Sequence, residues 1–243
     1  MPEYAQMYTV QDYMTPGAAQ TVGIIADTVQ FADNTMLLEV AAGKGTAAVA
    51  LAGQYPCRIV CVEPNGTFVR ESVNRIRRRG LGARVSVVRA NGRQLPIRVG
   101  VADAAYCIGA PSIVGLTAAL AEMTRVVVPG GQVIVSDITW RDRPGPLGPE
   151  WRWVADAVQT TTDQYVGELT SAGLRVGRVT VHERAAWETY WASMLSVVND
   201  STTLGASVEH LSFAADVRQL ITTERRAVDA WLDYTTFTAA KPN

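Results

Sequence analysis

The chain of 243 residues is poor in cysteine, histidine and lysine, with three, two and two residues, respectively. No two cysteines form a Cys-x-x-Cys pair, so the sequence predicts buried thiols in a reducing compartment and no zinc site. Because Lys44 and Lys241 are the only lysines, no Tyr-x-x-x-Lys pair is possible. That absence argues against one common group of nucleotide-dependent oxidoreductases.

The chain also lacks a large net charge and a long uninterrupted apolar run. Its formal net charge is −1, which favours neither nucleic acid nor anionic membrane as a partner. Polar and turn residues interrupt the most apolar stretch, 99–121, and the first residues do not resemble a secretion signal. We therefore expect a cytoplasmic protein. The arginine run at 75–79 predicts a solvated helix face, with anion or nucleic-acid binding as the alternative.

Short apolar runs alternate with helical patterns along the first part of the chain. The predicted strands lie at 36–40, 58–62, 84–89, 102–107 and 132–136. Continuous apolar runs indicate parallel strands that are covered on both faces. The sequence therefore predicts an α/β fold, a three-layer sandwich around a mostly parallel sheet.

We expect one domain spanning residues 1–243. Thr15 followed by Pro16 predicts the start of a helix in an N-terminal cap. A stretch rich in Arg, Pro, Gly and Trp predicts a lid, and later helical patterns predict an insertion. The predicted parts are the cap at 1–34, a cofactor-binding core at 35–138, a lid insertion at 139–160, and a C-terminal part at 161–243 with a helical insertion at 185–232.

A small-residue turn follows the first predicted strand. Glu39 ends the strand, Gly43 and Gly45 form the turn, and an alanine-rich helix begins at Thr46. Backbone N–H groups at such a turn and helix start can bind a nucleotide-like ligand, and a carboxylate beside it can receive a cationic group. Alone, the turn does not identify the ligand.

Three further positions extend this pattern. Glu63-Pro64 ends the second predicted strand, Asn91-Gly92 follows the third, and Pro129-Gly130-Gly131 precedes the fifth. Over about residues 8–182 the chain resembles the class I S-adenosylmethionine-dependent methyltransferases of the small-molecule group. The resemblance implies S-adenosylmethionine as cofactor. It also implies a seven-stranded sheet of order 3-2-1-4-5-7-6, with the last strand antiparallel.

The resemblance also implies a role for individual residues. Glu63 matches the carboxylate that grips the ribose hydroxyls, and Asn91 matches the residue that binds the adenine amino group. Ala41 stands where the family usually has its first glycine, and Asn91 stands where aspartate is commoner. The implied cofactor-binding residues are Glu39, Ala41, Gly43, Gly45, Glu63, Pro64, Asn91, Gly92 and Ile108.

The sequence indicates less specifically which residues would bind the methyl acceptor. Tyr13 begins a segment, 13–17, that resembles a loop folding over the cofactor in many such enzymes. Aromatic residues of the predicted lid and insertion predict a substrate wall, and packing of the cap is an equal alternative. The candidate substrate-binding residues are Tyr13, Trp140, Trp187 and Trp191.

Two residues are candidate general bases, Asp137 and His182, although a structural role is at least as expected for each. The segment after Cys107 lacks the Asn/Asp-Pro-Pro-Tyr box of amide and base N-methyltransferases. It also lacks the acidic pair that binds magnesium in catechol-type enzymes. We therefore expect no metal and a small-molecule acceptor.

The predicted function is methyl transfer to a small molecule by in-line displacement in an aromatic-lined pocket. The acceptor atom (O, N, S or C) stays open, and a homo-oligomer is compatible with the sequence. One alternative is an NAD(P)-linked oxidoreductase, because Gly43-x-Gly45-x-x-Ala48 also fits the dinucleotide fingerprint. The other is a methyltransferase-fold protein that binds cofactor without catalysis.

Overall fold

A computed structural model of the protein describes residues 11–145, 148, 151–199 and 208–243. Small portions of the predicted cap, lid and insertion, at 1–10, 146–147, 149–150 and 200–207, lie outside the described residues. Within those that are described, no helix combines the length and apolar character needed to cross a bilayer.

One seven-stranded sheet, of order β3-β2-β1-β4-β5-β7-β6, organises the fold. Strands β1 to β5 pair in parallel, and β7 runs antiparallel to both β5 and β6. The predicted α/β fold and its strand order are confirmed. The strands are β1 (Thr35–Val40), β2 (Cys57–Val62), β3 (Val85–Val88), β4 (Ala102–Ile108), β5 (Val127–Trp140), β6 (Arg175–Val181) and β7 (Leu232–Ala240).

Helices cover both faces of this sheet. Leu37 of β1 packs in a cluster with residues of α1, α2 and α3, whereas its neighbour Leu38 packs with residues of α5 and α7. Successive strand side chains point to opposite faces, so both faces are buried and the fold has three layers. The helices are α1 (Ala18–Thr28), α2 (Thr46–Gln54), α3 (Gly66–Arg78), α4 (Pro111–Val114), α5 (Leu116–Val126), α6 (Arg152–Ala157), α7 (Thr162–Ser171), α8 (Arg184–Asn199) and α9 (Val208–Ala230).

A third cluster, here called the tryptophan cluster, lies beside the end of β5. It joins buried side chains of α6, α8 and α9 to Trp140 and Tyr234. Strand β5 continues to Trp140 through a ladder with β7, so it overlaps the first two residues of the predicted lid insertion, 139–160. Helices α8 and α9 occupy the predicted insertion and lie between β6 and β7 in the chain.

Local sequence signals set the helix starts beside the sheet. Asn65 caps α3, because its Oδ1 accepts the backbone N–H groups of Thr67 and Phe68. Helix α1 begins later than Thr15-Pro16 predicts, at Ala18, after Gly17 in a left-handed conformation (φ 67°). A Cβ at Gly17 would meet the Tyr234 ring at 2.7 Å, so this close approach requires glycine.

Candidate cofactor site

A cavity of about 490 Å³ opens where the strands leave the central part of the sheet. It lies at the carboxyl ends of β1, β2 and β4, where ligands bind in open α/β sheets. Eight of the nine predicted cofactor-binding residues line it, and so does Tyr13. They are Glu39, Ala41, Gly43, Glu63, Pro64, Asn91, Gly92 and Ile108.

The turn after β1 has an unusual backbone. Ala41 has φ 55°, and it is the only non-glycine residue with positive φ in the described part of the chain. Gly43 and Gly45 follow with φ 54° and 68°. A Cβ at Gly43 would overlap Met14, whereas one at Gly45 would overlap Ser72 of α3. Gly45 therefore permits helix packing, and it does not line the cavity.

Glu39 lies on the cavity floor and is 4% exposed. Its Oε2 accepts weak hydrogen bonds from the Cys61 thiol (3.5 Å) and the Tyr106 hydroxyl (3.3 Å). Burial raises the pKa of Glu39 to about 8, against the smaller opposing effect of those donors. The cavity therefore holds a carboxyl group that an incoming cation would help to ionise.

Glu63 organises the turn as well as lining the cavity. Its Oε2 accepts the Gly43 N–H at 2.9 Å, and its Oε1 accepts the Asn65 N–H at 2.8 Å. One carboxylate thus connects the end of β2 both to the glycine turn and to the cap of α3. Each oxygen keeps further acceptor capacity, which a ligand hydroxyl could use.

Asn91 lines the cavity and forms a small turn after β3. Its Oδ1 accepts the Arg93 N–H at 2.9 Å, so the side-chain oxygen already has a partner. A Cβ at Gly92 would lie 2.8 Å from Val40 Cγ1, so glycine allows this turn to approach β1. The geometry favours Asn91 as a donor through its amide NH₂ group, in addition to the predicted acceptor role.

Residues 11–15 form a roof over the cavity, which sequence reasoning detected only in part. Lys44 Nζ donates to the Gln11 carbonyl at 2.6 Å, and Thr46 Oγ1 donates to the Asp12 carbonyl at 2.6 Å. Arg75 forms an ion pair with Asp12 at 2.8 Å. The signal that could have revealed Lys44 is its place between the two glycines, in a chain with only one other lysine.

Lys44 is buried, at 3% exposed, which is unusual for a lysine side chain. Burial lowers its pKa, and Glu71, whose Oε2 lies 3.9 Å from Nζ, partly opposes that effect. A buried ammonium group requires such partners. The hydrogen bond to the Gln11 carbonyl therefore helps to stabilise the Lys44 side chain in this buried position.

Neither candidate base lines the cavity. Asp137 accepts hydrogen bonds from the Ser112 backbone N–H (3.0 Å) and hydroxyl (2.7 Å), which tie α4 to β5, and burial raises its pKa. His182 Nε2 lies 2.7 Å from Thr236 Oγ1, and burial lowers the His182 pKa. The structure thus places both residues in hydrogen bonds between neighbouring elements.

The three predicted substrate-wall tryptophans also lie away from the cavity. Trp140, Trp187 and Trp191 are each at most 3% exposed and belong to the tryptophan cluster. The indole N–H of Trp140 donates to the Val158 carbonyl at 2.6 Å, and that of Trp191 donates to Glu224 at 2.7 Å. Their contacts match the packing alternative.

Residues 37–131 match the family model of the methyltransferase domain. The chain is 27% identical over 128 residues to an uncharacterised protein of Haemophilus influenzae, and the match spans about half of each chain (51%). A methyltransferase from Thiobacillus denitrificans, solved with S-adenosylhomocysteine, superposes with a TM-score of 0.75 at 15% identity, covering 98% of each chain.

A second solved structure is the Haemonchus contortus phosphoethanolamine N-methyltransferase 2, in complex with phosphomonomethylethanolamine and S-adenosylhomocysteine. It superposes with a TM-score of 0.79 at 14% identity, covering 99% of this chain and 56% of that one. The matched domain and the fold are those of class I, Rossmann-like methyltransferases, as the resemblance predicted. The cofactor of this class is S-adenosylmethionine.

Proposed function

We propose that this protein binds S-adenosylmethionine in the cavity and transfers its methyl group to a small-molecule acceptor. The convergence of eight predicted cofactor-binding residues on one cavity carries the proposal. These residues come from the ends of different strands, so only the folded sheet brings them together. The NAD(P)-linked alternative is not retained, because the domain match is to methyltransferases.

In this proposal each carboxylate has a distinct task. Glu63 accepts the ribose hydroxyls with the oxygens that already hold the Gly43 and Asn65 N–H groups. Glu39 faces the cationic methionine end, where its charge is most valuable. Asn91 and Gly92 hold the adenine edge. The cofactor supplies an activated methyl group, and the chain supplies alignment and a dry site.

We further propose a small, largely apolar acceptor. Near the mouth the cavity is lined by Ile108, Ile113 and Val114, and the Tyr13 hydroxyl is its aromatic polar group. Burial, with Glu39 and Asp12 nearby, raises the pKa of Tyr13, so this phenol stays protonated and acts as a hydrogen-bond donor. The Haemonchus enzyme, solved with phosphomonomethylethanolamine, offers a precedent for small acceptors on this fold.

Cofactor binding without methyl transfer is the second candidate. The lining of the cavity includes neither histidine nor cysteine, and in this proposal its carboxylates Glu39 and Glu63 are engaged by the cofactor, so neither serves as the general base for an acceptor. Alignment alone can suffice for a nucleophilic acceptor, which is why methyl transfer stays the first candidate. Saturable cofactor binding without turnover across amine, thiol, phenol and enol acceptors would favour the second candidate.

A cytoplasmic location, a single domain over the whole chain and a possible homo-oligomer belong to the same proposal.

The test is calorimetric binding of S-adenosylhomocysteine to the wild type and to Glu63→Gln and Glu63→Ala. We expect at least tenfold weaker binding for both, a loss on the order of 1.4 kcal/mol. Glu168→Gln is the matched control, since Glu168 is a partly exposed acceptor on α7 whose partner is Thr117. Unchanged affinity in the Glu63 variants, or tighter binding of NAD, would remove the proposal.

A further inference from the structure

The net charge of −1 conceals a very uneven distribution. Residues 58–98 hold ten arginines and two glutamates, an excess of +8. The rest of the chain keeps 12 of the 22 basic residues and 21 of the 23 acidic ones. Because 58–98 forms β2, α3 and β3, the positive charge lies at the β3 edge of the sheet.

Most of these arginines form no ion pair with the part of the chain that the structure describes. Among the described residues, Arg75 is the only one of the ten that forms an ion pair, with Asp12 at 2.8 Å. Arginines elsewhere do pair with carboxylates, as Arg125 does with Glu122 and Arg141 with Asp233. An unpaired basic edge of this kind attracts anionic groups.

The same edge carries a groove of about 460 Å³ between α3 and β3. Val73, Ile76 and Val85 contribute an apolar floor, and Arg77 stands on the helix wall. Arg70 lies two turns before Arg77, on the same helix face as the exposed Val73. In the described part of the chain β3 pairs with β2 alone, so its outer edge has no strand partner there.

We propose that this groove binds an extended acidic segment of a partner protein. The segment pairs with the free edge of β3 as an added strand. Its apolar side chains pack on the apolar floor of the groove, and its carboxylates form ion pairs with Arg70 and Arg77. Alternating side chains of an extended peptide fit an apolar floor beside a charged wall. The groove lining has no aromatic ring on which bases would stack, which favours peptide over single-stranded nucleic acid.

Fluorescence anisotropy with a labelled peptide of alternating Glu and Val, about ten residues long, tests the proposal at about 0.15 M salt. We expect saturable binding to the full chain and at least tenfold weaker binding to the double variant Arg70→Glu/Arg77→Glu. The matched control is Arg175→Glu/Arg178→Glu on β6, the opposite edge of the same sheet, where both arginines are also exposed. It should retain affinity within twofold.

Three outcomes would overturn the proposal. Equal losses in both double variants would show general charge attraction. No saturable binding at this salt concentration would leave the arginines only the task of keeping β3 from pairing with other chains. Tighter binding of a labelled oligothymidine, lost in Arg70→Glu/Arg77→Glu, would make the edge a nucleic-acid site. Circular dichroism spectra matching the wild type confirm that each variant is folded.

Discussion

Two regions of the molecule hold a buried or partly buried carboxylate beside an aromatic hydrogen-bond donor. In the cavity, Tyr106 donates to Glu39, and in the tryptophan cluster Trp191 donates to Glu224. Burial raises the pKa of Glu39 to about 8 and that of Glu224 to about 7. By side-chain chemistry alone the two regions look alike.

What separates them is open space. Glu39 lines a cavity of about 490 Å³. Around Trp191, by contrast, Arg184 and Arg225 stack over the ring at 4.9 and 5.1 Å and close the region. A perturbed carboxylate is a ligand-site candidate only where a ligand can reach it. The comparison therefore assigns binding to the first region and stability to the second.

The largest expected effect is on the stability of the second region. Trp191→Ala removes a side chain that is fully buried and leaves Glu224 without its donor. We expect the free energy of unfolding to fall by about 3–5 kcal/mol in urea titrations. Among molecules that remain folded, S-adenosylhomocysteine affinity should stay within twofold of the wild type. A tenfold loss of affinity without a loss of stability would break the assignment.

Proton linkage distinguishes the two carboxylates directly. Because the folded pKa of Glu39 is about 8, above its ordinary value of 4.5, the folded protein holds an extra proton between these values. Stability from this group is therefore full below about pH 4.5 and is lost as the pH rises through 8. A cation bound beside Glu39 favours ionisation, so ligand binding near pH 7 should release roughly one proton.

Calorimetry in two buffers of different ionisation enthalpy measures that release. We expect it to disappear in Glu39→Gln and to persist in Glu224→Gln, whose group lies away from the cavity. Urea titrations from pH 5 to 8 should show a flatter pH dependence for Glu39→Gln than for the wild type. Proton release that survives in Glu39→Gln would contradict a cationic end at this carboxylate.

The roof should matter for how long the ligand stays. Lys44→Met removes the hydrogen bond to the Gln11 carbonyl and keeps most of the side-chain volume. We expect S-adenosylhomocysteine to dissociate about tenfold faster in stopped-flow experiments, a change of about 1.4 kcal/mol. Lys241→Met is the control, because Lys241 also donates to a backbone carbonyl, that of Val127, at the other end of the sheet. It should leave the rate unchanged.

The sequence predicted the cavity well because its residues stand at strand ends in a fixed chain order. Glu39, Glu63 and Asn91 each follow a short apolar strand, and parallel strands bring such ends to one edge. Gly45 was assigned to the cofactor because a glycine pattern cannot separate ligand approach from helix packing, here against Ser72. The order of residues along the chain was sufficient to predict which strand-end residues line the cavity. It was insufficient to predict the role of Gly45.

The tryptophans were harder to place for a different reason. Trp140, Trp187 and Trp191 lie up to 51 positions apart in the chain, and their cluster is created by α8, α9 and the end of β5 together. Tryptophans occur both in substrate-binding walls and in packed cores, so neither aromatic content nor periodicity could distinguish these two roles. Lys44 was missed because its partner, the Gln11 carbonyl, is a backbone group in a segment with no regular structure.

The smallest expected effect concerns backbone strain. Among the described non-glycine residues, the one with a positive φ, Ala41, lines the cavity. Ala41 takes a left-handed conformation that costs an L-residue roughly 1–2 kcal/mol. Ala41→Gly relieves this cost but gives the unfolded chain more freedom, worth about 0.4–1 kcal/mol. We therefore expect the free energy of unfolding to rise by about 0.5 kcal/mol.

Ala50→Gly in α2 is the matched control for Ala41→Gly. It makes the same chemical change within a regular helix. There the free energy of unfolding should fall by about 1 kcal/mol, because glycine is a poor helix former. Opposite signs for the two variants in urea titrations would place the strain at the turn that lines the cavity, since the unfolded-state term is common to both. A fall of equal size at both positions would mean that Ala41 is not strained, and that the turn after β1 is as relaxed as the packed helices around it.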